Sequence, residues 1–181
     1  AVTVFMATGY YASYSYIEPF LAQVAHVDAG AITMTLTAFG CSGLLGSWLF
    51  GRLFDGHRFP FLAITLSGVP VALLLMGPVA PSLVAVLAVC ALWGCCATAF
   101  NVAFQAELIK YTPADPSAVA MSIFSGLFNL GIGTGTAIGG AVVSGSGIAW
   151  FGFVGGAITV VGVILAITVL FPAIRRAKPV A

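Results

Sequence analysis

Residues 83–105 read LVAVLAVCALWGCCATAFNVAFQ, a continuous apolar run that contains no charged side chain. A helix of about 20 apolar residues crosses the hydrocarbon core of a bilayer, which is about 30 Å thick. Strands of a membrane β-barrel instead alternate apolar and polar residues over roughly ten positions, and this run does not alternate. The stretch therefore predicts a transmembrane helix.

The composition of the whole chain agrees with a membrane protein. Of its 181 residues, 61% are hydrophobic and 6% are charged, and the mean hydropathy is +1.14. Soluble domains are about 25% charged. These values exclude a soluble globular enzyme, a disordered regulator and a coiled coil. With a net charge of +1, the chain also lacks the many basic residues that neutralise nucleic-acid phosphates.

Six apolar segments can be placed along the chain by hydropathy. The connections between them are short, and backbone groups left unpaired in hydrocarbon cost several kcal/mol each, so all the spans must be helical. The fold class is an all-α, polytopic bundle of six transmembrane helices. The predicted spans are 2–24, 31–54, 60–80, 83–105, 119–143 and 150–171.

The basic residues predict how this bundle is oriented. All of them follow the second, fourth or sixth span, which places them on one side of the membrane: Arg52, Arg58, Lys110, Arg175, Arg176 and Lys178. Cytoplasmic loops carry the excess of Lys and Arg. Both chain termini are therefore expected to be cytoplasmic.

The first span carries tyrosines near its middle. Tyr10, Tyr14 and Glu18 follow a spacing of four residues, which places them on one helix face, and Tyr11 lies at the edge of that face. An interfacial aromatic belt is one interpretation. A face that lines a water-filled or ligand-lined cavity is the other, and it suits the central position of Tyr10, Tyr11 and Tyr14 better.

Glu18 precedes Pro19, and a proline weakens the helix turn before it. The pair therefore predicts a bending point near the outer end of the span. A carboxyl group in a low-dielectric site can exchange a proton near neutral pH. Glu18 is the candidate proton-coupling residue, and a carboxylate simply hydrated among the lipid headgroups is the alternative.

The fourth span contributes Trp93 and Asn101 as candidate pocket residues. The side chain of Asn101 lies within an otherwise apolar helix, where a polar group is costly. A hydrogen bond between helices would explain it, and so would a pocket whose wall combines aromatic and amide groups. Trp93 has two interpretations as well, a pocket wall or helix packing.

The fifth span has two different faces. Gly131, Gly135 and Gly139 form overlapping GxxxG units, which let another helix approach closely. Asn129 belongs to a second stripe offset by two positions, which a helix turns by roughly 200°. We therefore expect the glycines to pack against a neighbour, and Asn129 and the adjacent Phe128 to face a cavity.

The connection between the second and third spans contains Gly51, Arg52, Asp55 and Arg58. The spacing of Gly51 and Asp55 resembles the cytoplasmic loop motif of the major facilitator superfamily, Gly-x-x-x-Asp-Arg-x-Gly-Arg. Here Gly56 stands where the motif has Arg, and Arg58 where it has Gly. The motif is usually better kept in the first half of these proteins, so its decay indicates a C-terminal half. The resemblance implies that this loop helps to close a cytoplasmic gate.

Two further stretches narrow the resemblance within that superfamily. The residues YSYIEPFL at 14–21 and AMSIFSG at 120–126, with FNLGIG at 128–133, are similar to the seventh and eleventh helices of the sugar-efflux, or arabinose-efflux-permease, branch of proton-linked exporters. Related branches that export purine nucleosides or drugs share much of this pattern, so the resemblance does not assign the substrate.

The resemblance implies a secondary transporter that works by alternating access and exports sugars or small drug-like molecules in exchange for protons. It is expected in the bacterial cytoplasmic membrane, with no cofactor and no metal. Its partners would be the lipid bilayer, the substrate, protons and either an N-terminal six-helix half or a second copy. A channel-like facilitator and a non-transporting scaffold are alternatives from other classes. An intramembrane enzyme is not expected, since neither His26 nor His57 lies within a span.

Overall fold

The computed structural model describes residues 1–113 and 116–177, and every regular element in these ranges is helical. This confirms the all-α fold class. In chain order the elements are α1 (Val2–Tyr14), α2 (Ile17–Gln23), α3 (Ala29–Leu53), α4 (Arg58–Val79), α5 (Leu83–Lys110), α6 (Ser117–Gly145), a 3₁₀ turn (Ile148–Trp150), α7 (Phe151–Leu165), a π-helical turn (Ala166–Leu170) and α8 (Phe171–Arg176).

Within the described residues, five helical stretches are long and apolar enough to cross a membrane: α3, α4, α5, α6 and the run from Ile148 to Arg176. The first predicted span corresponds to α1 and α2 together. Helix α3 begins two residues before the predicted 31–54 because Asp28 Oδ1 accepts hydrogen bonds from the backbone N–H groups of Gly30 and Ala31, at 2.9 and 3.1 Å. This side-chain cap satisfies donors that a helix start leaves free.

The first predicted segment, 2–24, is not one continuous helix. Helix α1 ends at Tyr14 and α2 begins at Ile17. Pro19 has no N–H to donate to the carbonyl of Ser15, so the chain turns there instead. Because this break separates Tyr14 from Glu18, the predicted face of Tyr10, Tyr14 and Glu18 ends at Tyr14. Glu18 is exposed on α2.

The helices pack as two interleaved sets. Helix α1 packs between α6 and α7, while α5 packs between α3 and α4, and contacts between α4 and α7 join the two groups. In chain order the first three passages are α1 with α2, α3 and α4, and the last three begin with α5. The first helix of each three, α1 or α5, therefore packs with the second and third helices of the other three. This exchange brings α1 and α5 to the centre of the bundle.

The glycines of α6 lie against α1. Gly131, Gly135 and Gly139 are buried, and a Cβ atom at Gly131 would lie 2.5 Å from the Cβ of Ala7. Small residues let the two backbones approach this closely. A similar contact joins α3 to α5, where a Cβ at Gly43 would lie 2.7 Å from Thr98 Oγ1.

Basic residues meet at one end of the bundle. Arg58, at the start of α4, forms an ion pair with Glu107, near the end of α5. The guanidinium of Arg175 lies 4.7 Å from the ring centre of Phe59. Contacts between the chain segments thus bring together basic residues that are distant in sequence, while Lys178 lies outside the described residues.

Candidate functional site

An aromatic cluster lies where tyrosines of α1 contact Trp93 of α5. The rings of Tyr10 and Trp93 lie 5.4 Å apart edge to face, and Tyr14 stacks on Tyr10 at 5.3 Å. Such pairs stabilise beyond the area they bury. The aromatic cluster comprises Tyr10, Tyr11, Tyr14, Phe39, Trp93 and Phe128.

Trp93 is the most enclosed ring of the aromatic cluster. It is 0% exposed, and its indole N–H has no hydrogen-bond partner in residues 1–113 and 116–177. A buried donor without a partner costs about 1–3 kcal/mol. The position of Trp93 is therefore set by ring packing against Tyr10, Tyr14 and Phe39. Through the two tyrosines, the Trp93 ring packs against α1.

A cavity of about 270 Å³ lies beside the aromatic cluster, between α1, α5 and α6. This volume is near the lower end for small-molecule sites, about 300–1,000 Å³. None of its lining residues is charged. They are Ala7, Tyr10, Tyr11, Ala97, Thr98, Phe100, Asn101, Val102 and Phe128.

Four of the predicted pocket residues line this cavity: Tyr10, Tyr11, Asn101 and Phe128. Asn101 is half-buried, and its Oδ1 accepts a hydrogen bond from Gln105 Nε2 at 2.5 Å. Its Nδ2 has no partner in the described part of the chain. The cavity wall thus combines aromatic rings with one free amide donor.

The other predicted pocket residues lie elsewhere. Tyr14 and Trp93 pack against Tyr10 but do not line the cavity. Asn129 is exposed on α6, and its Nδ2 donates to the carbonyl of Ser125 at 2.9 Å. It faces away from the glycines that pack on α1, as its offset in sequence indicates.

Sequence reasoning missed the remaining wall of the cavity on α5. Ala97, Thr98 and Val102 contribute to it together with Asn101. Thr98 lies three residues before Asn101, so helical spacing places both on the same side. That spacing was the available signal, but a threonine within an apolar run does not stand out by itself.

A larger cavity of about 520 Å³ lies at the basic end of the bundle, where Val2, Leu108 and Ile174 line it. Glu107 is the one charged group among its lining residues that the structure describes, and both carboxylate oxygens bond to Arg58. A carboxylate already neutralised in this way is poorly placed to select a ligand. The smaller cavity is the better candidate site.

Arg58 connects three helices at the basic end. Its guanidinium donates to both carboxylate oxygens of Glu107 and to Tyr111 Oη, the latter at 2.9 Å. The Tyr111 hydroxyl in turn donates to the carbonyl of Ile174 in α8, at 3.3 Å. Glu107 is 5% exposed, so the network fastens α4, α5 and α8 together in a largely dry environment.

The loop motif is thus only partly engaged in this network. Arg58 participates, whereas Arg52 lies over the Trp48 ring at 5.5 Å and Asp55 is exposed. Glu107, the partner of Arg58, was not among the predicted site residues. A carboxylate at the end of an apolar helix resembles an ordinary hydrated residue until its partner is known.

The comparison with protein families identifies this arrangement. The model of the Major Facilitator Superfamily matches residues 1–181. The chain belongs to the Major Facilitator Superfamily. As a major facilitator protein, it is a multi-pass integral membrane protein of a transporter family, not of an enzyme family.

Two curated relatives of this major facilitator chain bear the same name. A "Probable sugar efflux transporter" of Mannheimia succiniciproducens is 35% identical over 162 residues, which are 90% of this chain and 41% of that protein. One of Helicobacter pylori is 34% identical over 157 residues, 87% of this chain and 40% of that protein. The chain therefore spans about two fifths of the length of these relatives.

The ion pair between Arg58 and Glu107 leads to a first prediction. We expect Glu107→Gln to lower the free energy of unfolding by about 1.5 kcal/mol, the lower end for hydrogen bonds to charged groups. Glutamine keeps one neutral acceptor but leaves the guanidinium without its counter-charge. Thermal unfolding of the purified protein in detergent measures the loss. Glu18→Gln, at an exposed position, is the matched control, and equal shifts for both variants would contradict the role of the pair.

Proposed function

We propose that this chain is the C-terminal six-helix half of a secondary transporter that exports sugars or small drug-like molecules by alternating access, in exchange for protons. The observation that carries the proposal is the uncharged cavity between α1, α5 and α6, with four aromatic residues and a free amide on its wall. Such a wall suits a neutral ligand that has apolar faces and polar groups. The names of the two relatives support sugars as the substrate class.

The other wall of the pathway is proposed to come from an N-terminal six-helix half. Helices α3 and α6 leave large apolar side chains exposed, among them Leu44, Trp48, Ile123 and Leu130. Relatives more than twice as long have room for a second set of helices. A second copy of this chain is the alternative source. Asn129 and Tyr14, both exposed on this chain, are proposed to face the pathway between the two halves.

The basic end of the bundle is proposed to be cytoplasmic and to contain the inner gate. The positive-inside rule favours this orientation. Gly51 and Arg52 lie in the last turn of α3 at that end, Asp55 lies in the loop that follows, and Arg58 fastens α4 to α5 beside it. In an alternating-access cycle, two halves move against each other around a site near the middle of the membrane. The loop is placed to make contacts that form and break in that movement.

Glu18 is proposed to couple substrate movement to protons. It lies in the first turn of α2, just after the break between α1 and α2 and four residues from Tyr14. Protonation of its carboxylate would therefore change the charge at the point where the chain bends. Its exposure on this chain fits a carboxylate that reaches water from one side of the transporter.

The experiment that tests the function is sugar transport by the full-length protein in proteoliposomes with an imposed pH gradient. One proton exchanged per substrate supports about tenfold accumulation per pH unit, since tenfold corresponds to about 1.4 kcal/mol. We expect Glu18→Gln to abolish this accumulation while counterflow without a gradient persists.

Glu18→Asp, which retains a carboxyl group, is the matched control and should keep part of the coupling. Full accumulation by Glu18→Gln would move the coupling residue elsewhere. No flux of any sugar by the unmodified protein would contradict the sugar exporter itself.

A further inference from the structure

The threonines of this protein differ in what their hydroxyls contact. Most donate to a backbone carbonyl four residues earlier in the chain: Thr33, Thr35, Thr37, Thr65, Thr112, Thr134, Thr159 and Thr168. Thr8 pairs with Thr134, and Thr136 with Ser15. In residues 1–113 and 116–177, only Thr3 and Thr98 have a hydroxyl without a partner. Thr3 lies in the first turn of α1, whereas Thr98 lies in the middle of α5.

Thr98 lacks the usual bond because its hydroxyl is turned away from its own helix. Its Oγ1 lies beside Gly43 of α3, where a Cβ atom would be only 2.7 Å away. Gly43 is buried, and its missing side chain leaves the room that the hydroxyl occupies. A hydroxyl held away from the carbonyl that normally satisfies it is available to another partner.

That partner can reach Thr98 from the cavity. Thr98 is half-buried and lines the cavity of about 270 Å³. Within the described residues, the Trp93 indole N–H is fully enclosed and has no partner. The Thr98 hydroxyl does not belong to that class of atoms. The Thr98 hydroxyl is therefore not fully enclosed, whereas the Trp93 N–H is, and the cavity that Thr98 lines is the space from which a ligand can approach it.

Asn101 adds a second polar group to the same wall. Residues three apart on a helix are neighbours, with Cβ atoms about 5–6 Å apart. Gln105 occupies Asn101 Oδ1, which leaves the Nδ2 group to donate. The wall therefore offers a hydroxyl that can donate or accept next to an amide that can donate, in a cavity that Tyr10 and Tyr11 also line.

We propose that Thr98 is a specificity-determining residue whose hydroxyl, together with Asn101 Nδ2, binds a hydroxyl group of the transported molecule. This inference rests on the proposed function and assigns the recognition of one sugar hydroxyl to α5. The matching ligand is a neutral polyhydroxylated molecule with an apolar face against the tyrosines. A molecule that lacks the recognised hydroxyl would leave Thr98 without a partner, and the site would discriminate against it.

The test is counterflow of methyl β-D-glucopyranoside by the full-length protein in proteoliposomes, competed by each of its monodeoxy analogues. Thr98→Val removes the hydroxyl at nearly constant shape. We expect it to weaken the affinity for the glucoside roughly tenfold, the size of one hydrogen bond between neutral groups. The affinity for one particular deoxy analogue should stay unchanged, because the hydroxyl that Thr98 binds is already absent from it.

Two further variants separate recognition from structure. Thr98→Ser restores the hydroxyl and should restore the discrimination between glucoside and deoxy analogue. Thr168→Val removes a hydroxyl that bonds to Ile164 of its own helix and should leave both affinities unchanged. Thr98→Val with the same loss for every analogue, or with no loss, overturns the inference while transport itself stands. An unmodified protein that moves and binds no glucoside overturns this inference, whereas the proposed sugar transport is overturned only if the protein moves no sugar.

Discussion

Replacing Trp93 with alanine is expected to lower the free energy of unfolding by about 3–5 kcal/mol, the range for truncating a large buried aromatic side chain. Trp93 is fully buried, and its ring contacts Tyr10, Tyr14 and Phe39. Its loss leaves a cavity at the crossing of α1 and α5 that rigid helices cannot close. We also expect Tyr10 to shift, which would lower substrate affinity in addition to stability.

Thermal unfolding of the detergent-purified protein measures this effect. Trp150→Ala is the matched control, because the same atoms are removed from a ring that is 55% exposed in the 3₁₀ turn before α7. The control should unfold within about 0.5 kcal/mol of the unmodified protein, as surface substitutions do. Similar losses for both variants would show that Trp93 is not the central packing element.

Replacing Gly135 with alanine is expected to separate α6 from α1 and to cost about 3 kcal/mol, the upper end for overpacking. The added Cβ would meet the carbonyl oxygen of Thr8 and lie 3.0 Å from the backbone nitrogen of Ala12. Both contacts are with backbone atoms, so no side-chain rotation relieves them. The two helices must move apart along their whole contact.

Gly133→Ala is the control two residues away on the same helix. A Cβ at Gly133 meets nothing within 4 Å, and alanine is the better helix former by up to about 1 kcal/mol. Gly133→Ala should therefore leave the melting temperature unchanged or raise it. The measurement is the melting temperature and the monodisperse fraction after purification. Equal behaviour of the two variants would contradict the close approach of α1 and α6.

Much of the fold could be predicted from the sequence because hydropathy acts locally. Each long apolar run must form its own backbone hydrogen bonds within the membrane, so its length and composition determine a helix without reference to its neighbours. The break in the first segment was indicated by the same kind of signal. Pro19 removes a specific hydrogen-bond donor, and α1 ends five residues before it.

The candidate site could be predicted only in part. Tyr10, Tyr11, Asn101 and Phe128 line one cavity. The spacing from Asn101 indicates the side on which Thr98 lies, but its free hydroxyl could not be predicted because that depends on Gly43 in another helix. Trp93 can be recognised in the sequence as a candidate pocket residue. Whether its ring faces a ligand or other rings depends on the tyrosines that α1 places beside it.

The sequence by itself determined the number of apolar passages, their helical form and the two different faces of α6, since these follow from the chemistry of adjacent or regularly spaced residues. Only the tertiary structure decided that α1 and α5 exchange places between the two sets of three helices, and that Arg58 meets Glu107. The physical reason is that apolar surface does not distinguish one helix neighbour from another within a bilayer. The choice falls to shape, in contacts such as Gly135 against Thr8 and Gly43 against Thr98, and shape exists only once the helices are packed.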